Sequence, residues 1–292
     1  MALLAAVTTV VLQMSTQQAS LAETVARAAV GAQSPAWQEA VAIEVSAPVS
    51  VEPGPSVEAA RRYAAGRGVV GLAVLDRQTG SYADNGVTAH TPMGSASVIK
   101  VVIAEELLYR AGLGEIDLAP PERDRMETML IDSNDSAASS LYRQFGGISL
   151  IEAALSRHGL TESRPPTDPQ FWGNTMVTAH DIAKFYDNVL SGSIPPQDRG
   201  YLLDLLHRMA PTATDGFGQL FGVAGIDPRP DAAVKQGWMC CLDDARNVHS
   251  TAVLGGERLV LIILTQYSTW LSYEYGQITT TEVARLVIEE LS

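Results

Sequence analysis

The hydrophobic pattern of this chain changes period twice, and that order limits the fold more than any single residue does. Val69-Val-Gly-Leu-Ala-Val-Leu75 is a continuous apolar run of strand length. The turn Asp76-Arg-Gln-Thr-Gly80 closes it, and a shorter strand begins at Ser81. Residues 98–225 carry helical spacing instead: Val98–Arg110, Arg123–Leu130, Ala137–Phe145, Leu150–His158 (stopped by Gly159), Thr178–Leu190 and Arg199–Met209. Strand patterns return at Ala232–Gly237, Val248–Leu254 and Arg258–Thr265. A helix-like stretch, Val57–Ala65, precedes the first strand, and a closing helix runs to Leu291, with Thr279 and Glu282 as its capping box. The order predicts an α+β fold, in which strands from both ends of the chain share one antiparallel sheet flanked by the first and last helices. The sheet lobe would take about 57–90 and 226–292, and an all-helical lobe about 91–225. A cleft between two such lobes is a usual place for a site.

Composition narrows the partners. At 292 residues the chain can bury a sizeable core, and 46% hydrophobic against 18% charged residues excludes wholesale disorder. Acidic residues outnumber basic ones 33 to 20, a net charge of −13, so the surface repels phosphate backbones and no nucleic acid is expected. The two cysteines, Cys240 and Cys241, are neighbours that cannot staple distant segments, and both are expected to be small, partly buried residues, with a disulfide between them as the alternative. No Cys/His cluster has zinc-ligand spacing, so neither a metal nor a cofactor is expected. The apolar run Met1–Leu12 is too short to span a bilayer and is similar to the core of a secretory signal, although the first basic residue is Arg27. Export is therefore expected, with residues 1–33 as signal or anchor and no early cysteine to carry a lipid. Residues 34–56, with Pro35, Pro48, Pro53 and Pro55, read as a linker before order begins near Val57.

Only three lysines stand against seventeen arginines, and two of them lie in short motifs. An amine can lose its proton when desolvated, whereas a guanidinium effectively cannot. In Ser97-Val-Ile-Lys100, at the start of an apolar helix, the spacing of three puts hydroxyl and amine on one face. A serine so placed either gains a base, with the helix start offering N–H groups to an oxyanion, or simply caps the helix ahead of a stray lysine. Ser133-Asn134-Asp135 falls in the polar break between two helices, where it either relays protons or simply caps the second helix. Lys235-Gln236-Gly237-Trp238 lies in a strand, where glycine allows another backbone or a ligand to approach; alternatively, Lys235 guards an exposed edge. His90, His158, His180, His207 and His249 are scattered, and there is no Gly-x-Ser-x-Gly elbow, so a Ser-His-Asp hydrolase lacks support. His180 is placed near a helix start and His249 on a strand.

Taken in order, the three motifs resemble the Ser-x-x-Lys, Ser-Asp-Asn and Lys-Thr-Gly set of class A β-lactamases and penicillin-binding proteins, over roughly residues 57–292. The flavour is that of the actinobacterial serine hydrolases related to class A β-lactamases. The resemblance implies that Ser97 is the acylated nucleophile and Lys100 its proton acceptor. It makes Ser133 the donor to the leaving nitrogen and Lys235 the support for Ser133 and for a substrate carboxylate. The backbone N–H groups of Ser97 and Trp238 would form the oxyanion hole. Asp135, Gln236, Gly237 and Trp238 would line the substrate site, and Arg246 would either add carboxylate-binding charge or remain a surface arginine. The implied substrates are a β-lactam or a peptidoglycan peptide, taken by a monomer.

The departures are as informative as the matches. The stretch Thr161–Asn174 lacks the Glu-x-x-Leu-Asn pattern that positions the deacylating water in class A enzymes; its only carboxylates are Glu162 and Asp168. Deacylation is therefore expected to be slow. Asp135 replaces the usual amide and would hold Lys100 protonated. Gln236 removes the usual hydroxyl, the Ser97–Ser133 separation is short, and the loop between the third motif and Arg246 is longer than usual. Three readings follow: a β-lactamase-related serine hydrolase, a cell-wall D-alanyl-D-alanine peptidase, or a binding domain that keeps the fold without the chemistry.

Overall fold

The computed structural model describes residues 52–291. Strand β1 (Val69–Asp76) pairs with the short β2 (Ser81–Asp84) across the tight turn and, on its other edge, with β7 (Leu259–Ser268). β6 (Ala245–Leu254) and β5 (Ala232–Leu242) complete a five-stranded antiparallel sheet in the order β2-β1-β7-β6-β5. The apolar runs are continuous because the sheet is covered on both faces. Val70, Leu72, Val74, Val234, Leu261 and Ile263 point towards α1 (Gly54–Ala64) and α8 (Tyr273–Leu291). Their alternating neighbours Ala73, Ala233, Val253, Ile262 and Leu264 join the core of the intervening helices. Those are α2 (Ile99–Gly112), α3 (Pro120–Ile131), α4 (Asp135–Gln144), α5 (Ile148–His158), α6 (Ala179–Leu190) and α7 (Pro196–His207). Two short strands, β3 (Met93–Gly94) and β4 (Met176–Val177), clip the chain just ahead of Ser97. The expected α+β architecture is the one observed.

Four readings need correction. The linker was expected to reach residue 56, but α1 starts at Gly54, with proline in its first turn and Ser56 buried. The expected signal segment and the linker up to residue 51 lie outside the described residues. Thr279 and Glu282 do not cap the last helix: they sit inside α8, where Thr279 Oγ1 donates to Tyr275 O, one turn back. The long loop expected before Arg246 is strand, closed by the two-residue turn Asp243-Asp244, both at positive φ. Cys240 and Cys241 are bonded to each other and exposed, not partly buried. Among the described residues no helix is long and apolar enough to cross a membrane.

Candidate active site

Ser97 lies in a single 3-10 turn, Ala96–Val98, that runs directly into α2. It is nearly buried, and the residue before it, Ala96, is held at φ +48°. Ser133, between α3 and α4, is held at φ +52°. A non-glycine residue keeps such a backbone only where its surroundings impose it, as they do at many functional sites. The break at 133–135 divides its labour. Asn134 is the helix cap, its Oδ1 accepting from Ala137 N at 2.8 Å. Ser133 and Asp135 turn instead towards the lysines.

Three elements meet at the Ser133 hydroxyl. It accepts from Lys100 Nζ of α2 at 3.2 Å and from Lys235 Nζ of β5 at 2.9 Å. Lys100 also donates to Ser133 O at 2.7 Å and to Asp135 Oδ1 at 2.6 Å, and Lys235 to Gln236 O at 3.0 Å. Both amines are fully buried. Burial pushes the Lys100 amine below its ordinary range, while the Asp135 carboxylate pulls it back up. Lys235 lies well below that range, through burial first and then through the charge of Lys100. A downward shift of this kind is what an amine needs to serve as a proton acceptor.

The first motif does not form the contact its spacing allows. Ser97 Oγ makes no hydrogen bond among the described residues; Lys100 is engaged by Ser133 and Asp135 instead. Gly237 brings β5 against the Ser97 turn, since a Cβ there would lie 3.2 Å from Ser95 O and from Val98 N. The side chains of the remaining substrate-site candidates are engaged by other groups. The Gln236 amide donates to Gln219 O and Phe221 O on the opposite sheet face from Lys235. Trp238 stacks on Phe217, with ring centroids 4.5 Å apart, and donates to Asp215 Oδ2. Arg246 lies over the Tyr273 ring and donates to Leu271 O.

Two site residues escaped the motifs. Trp172, in the stretch where class A enzymes carry their glutamate, places its indole over Lys100, with Nζ 5.1 Å from the ring centroid. Its Nε1 donates to Ser139 Oγ. Glu162 is held by His90 and Thr178, and Asp168 accepts from Gln170 N in its own turn, so neither carboxylate touches Ser97 or Lys100. His249 is the second. Its Nε2 donates to Gly94 O at 2.7 Å and its Nδ1 accepts from Thr265 N at 3.0 Å, which fixes a neutral ring between the sheet and the strand leading to Ser97. Burial pushes it down to about 4. As for a metal, the ligating atoms that cluster closely enough among the described residues belong to Asp84, His90 and His180, outside this group.

Comparison with known proteins bears on this geometry. The family model of the beta-lactamase enzyme family matches residues 119–291, a stretch that includes Ser133 and Lys235 and begins after Ser97 and Lys100. A protein named "Putative lipoprotein LppW", from Mycobacterium bovis and Mycobacterium tuberculosis, is 37% identical over 196 residues, which is 66% of this chain and 61% of that protein. The match thus spans under two thirds of those relatives. Among solved structures, an ancestral class A beta-lactamase aligns over 82% of this chain and 99% of its own, at TM-score 0.65 and 19% identity. A beta-lactamase from Chitinophaga pinensis aligns over 82% of this chain and 100% of its own, at TM-score 0.65 and 14% identity. At such identities the likeness is one of fold.

Proposed function

The chain belongs to the beta-lactamase enzyme family, and from that premise we propose that it is a serine hydrolase acylated on Ser97 by a β-lactam or a related amide or ester. The observation that carries this reading is the convergence of Lys100 and Lys235, 135 residues apart in sequence, on one serine hydroxyl. Two buried amines on one hydroxyl are costly to desolvate even when hydrogen-bonded, which supports chemistry rather than packing.

In this reading Ser97 Oγ attacks the carbonyl carbon, and its proton passes to the neutral Lys100 amine. The proton then returns through the Ser133 hydroxyl to the nitrogen that leaves as the C–N bond breaks. Lys235 fixes that hydroxyl and attracts a substrate carboxylate. The approach of β5 to the Ser97 turn supports an oxyanion hole made of the Ser97 and Trp238 N–H groups. Hydrolysis of the acyl-serine is slow, because Glu162 and Asp168 are occupied elsewhere and an indole covers Lys100. The same observation favours a second reading, a cell-wall D-alanyl-D-alanine peptidase whose acyl-enzyme with penicillin persists. An envelope location is part of the proposal, supported by the lipoprotein name of the mycobacterial relatives.

Intact mass after incubation with a penicillin tests the reading. Wild type should gain one penicilloyl mass that persists for minutes or longer, and Ser97→Ala should gain none. Release of D-alanine from a peptide ending in D-alanyl-D-alanine would choose the peptidase branch. Wild type that neither gains mass nor consumes penicillin overturns the proposal and leaves a binding domain on the same fold.

A further inference from the structure

The groups gathered around His90 lie outside the Ser97 site, and no step above uses them. We infer that Asp84, His90 and His180 form a binding site for a divalent first-row cation of the zinc class. The three come from separate segments: the end of β2, the end of the 3-10 turn Gly86–His90, and the first turn of α6. One ligand atom from each lies within 4.8 Å of the others. His90 Nε2 and Asp84 Oδ2 are 3.2 Å apart. Two ligands on a tetrahedral zinc, each bonded at about 2.0–2.1 Å, stand roughly 3.3 Å apart. The His90 and His180 rings have centroids 4.7 Å apart and are tilted by 34°, so a small swing brings both nitrogens to one ion.

The surroundings supply what ligating histidines require. Such a ring usually has its other nitrogen bonded to a carboxylate or similar group that fixes its orientation. Glu162 Oε1 sits 2.8 Å from His90 Nδ1, and Glu162 is itself held by Thr178 Oγ1, the cap of α6. Tyr82 OH lies between Asp84 Oδ2 and His180 Nδ1, 2.9 Å from each. Ligation takes both imidazoles in their neutral form, and with them the Asp84 and Glu162 carboxylates supply the two negative charges that a divalent ion balances. Imidazole and carboxylate donors suit zinc and its neighbours better than magnesium or calcium. The His90 side chain is 39% exposed, which gives an ion access from solvent. An ion here would join β2, the segment leading to Ser97 and α6, with the Glu162 loop attached through His90.

The test is a titration of chelator-treated full-length protein with Co2+, read by visible absorption, and with Zn2+, read by calorimetry and thermal unfolding. Wild type should bind one ion of either metal and unfold several degrees higher with Zn2+. His180→Gln and Asp84→Asn should each weaken binding by at least about tenfold, and Glu162→Gln by about tenfold through His90. His207→Gln, at an exposed histidine paired with Asp231, should bind as wild type does. Unfolding of each variant in chelator separates lost binding from lost structure, and Glu162→Gln serves if a ligand variant does not fold. No binding by wild type, or equal binding by wild type and a folded His180→Gln protein, overturns the inference and leaves His90 as an ion pair with its two carboxylates. None of these readouts depends on reaction with penicillin.

Discussion

In the proposed reaction, Asp135 sets how much of the Lys100 amine is free to act as a base. Its carboxylate lies 2.6 Å from Nζ and opposes the loss of the proton that burial favours. Because the Asp135 side chain is 77% exposed, water screens part of that effect. Asp135→Asn should therefore lower the amine further and shift the rise of acylation rate to lower pH. At neutral pH, acylation by a penicillin should quicken on the order of fivefold, measured by rapid-quench mass spectrometry. An unchanged or slower rate would mean that Asp135 does not control the base. Lys100, Ser133 and Lys235 were legible because each sits in a run of three or four residues whose spacing carries meaning. Trp172 was not, since nothing local announces that an indole from the 161–174 stretch will cover an amine on α2. Asp84, His90 and His180 were hidden for the same reason: zinc-ligand spacing rules detect sites built within one segment, not across three. Ser97 and Lys100 mark the opposite limit: spacing showed only that they could meet, and it was the family resemblance that put Asp135 beside the amine, where it lies.

The elements were read most reliably where burial enforced periodicity, as in β1 and α6, and least reliably where an element had no apolar stripe. The far half of the β5–β6 hairpin carries Trp-Met-Cys-Cys on one strand and Arg-Asn on the other, with an Asp-Asp turn where Asn-Gly would have been the signal. The false capping box had a similar origin. Thr279, Thr280 and Thr281 all donate to carbonyls one turn back, so a Thr-x-x-Glu pattern arises inside a continuous helix. The packing under that helix is tight enough to test. Gly222 opens the 3-10 turn Gly222–Gly225 at φ +58°, and a Cβ there would lie 2.2 Å from Ser250 Cβ on β6. The left-handed backbone and the overlap both penalise a side chain, so Gly222→Ala should destabilise the fold by about 3 kcal/mol in urea unfolding. A loss below about 1 kcal/mol would show that the turn relaxes away from the sheet.

At the scale of the whole molecule, His249 is one of the places where the sheet grips the helical half. It spans from β6 to Gly94 and to β7, so the position of the Ser97 turn over β5 depends on a ring with no room for a second proton. The consequence for stability has a definite sign. Above pH 6.5 the ring is neutral whether the chain is folded or not, and titration contributes nothing. As pH falls from 6.5 the unfolded chain takes up a proton that the folded chain refuses until about pH 4, so unfolding is progressively favoured across that window. A shift of this size corresponds to about 3 kcal/mol, added to whatever Asp76 and Glu105 lose at lower pH, where their arginine and histidine partners hold them ionised. His249→Gln keeps a donor and an acceptor at the site but removes the titration. Its stability at pH 7 should be lower than that of wild type, through poorer fit. Its decline between pH 6.5 and pH 4 should be shallower by about 3 kcal/mol in urea melts taken at half-unit steps. Every other titrating group is common to the two proteins, so the difference between the curves isolates His249. Parallel curves would mean that the folded chain protonates the ring as readily as the unfolded one, and that the hydrogen bonds from the sheet to the Ser97 turn do not exclude a second proton.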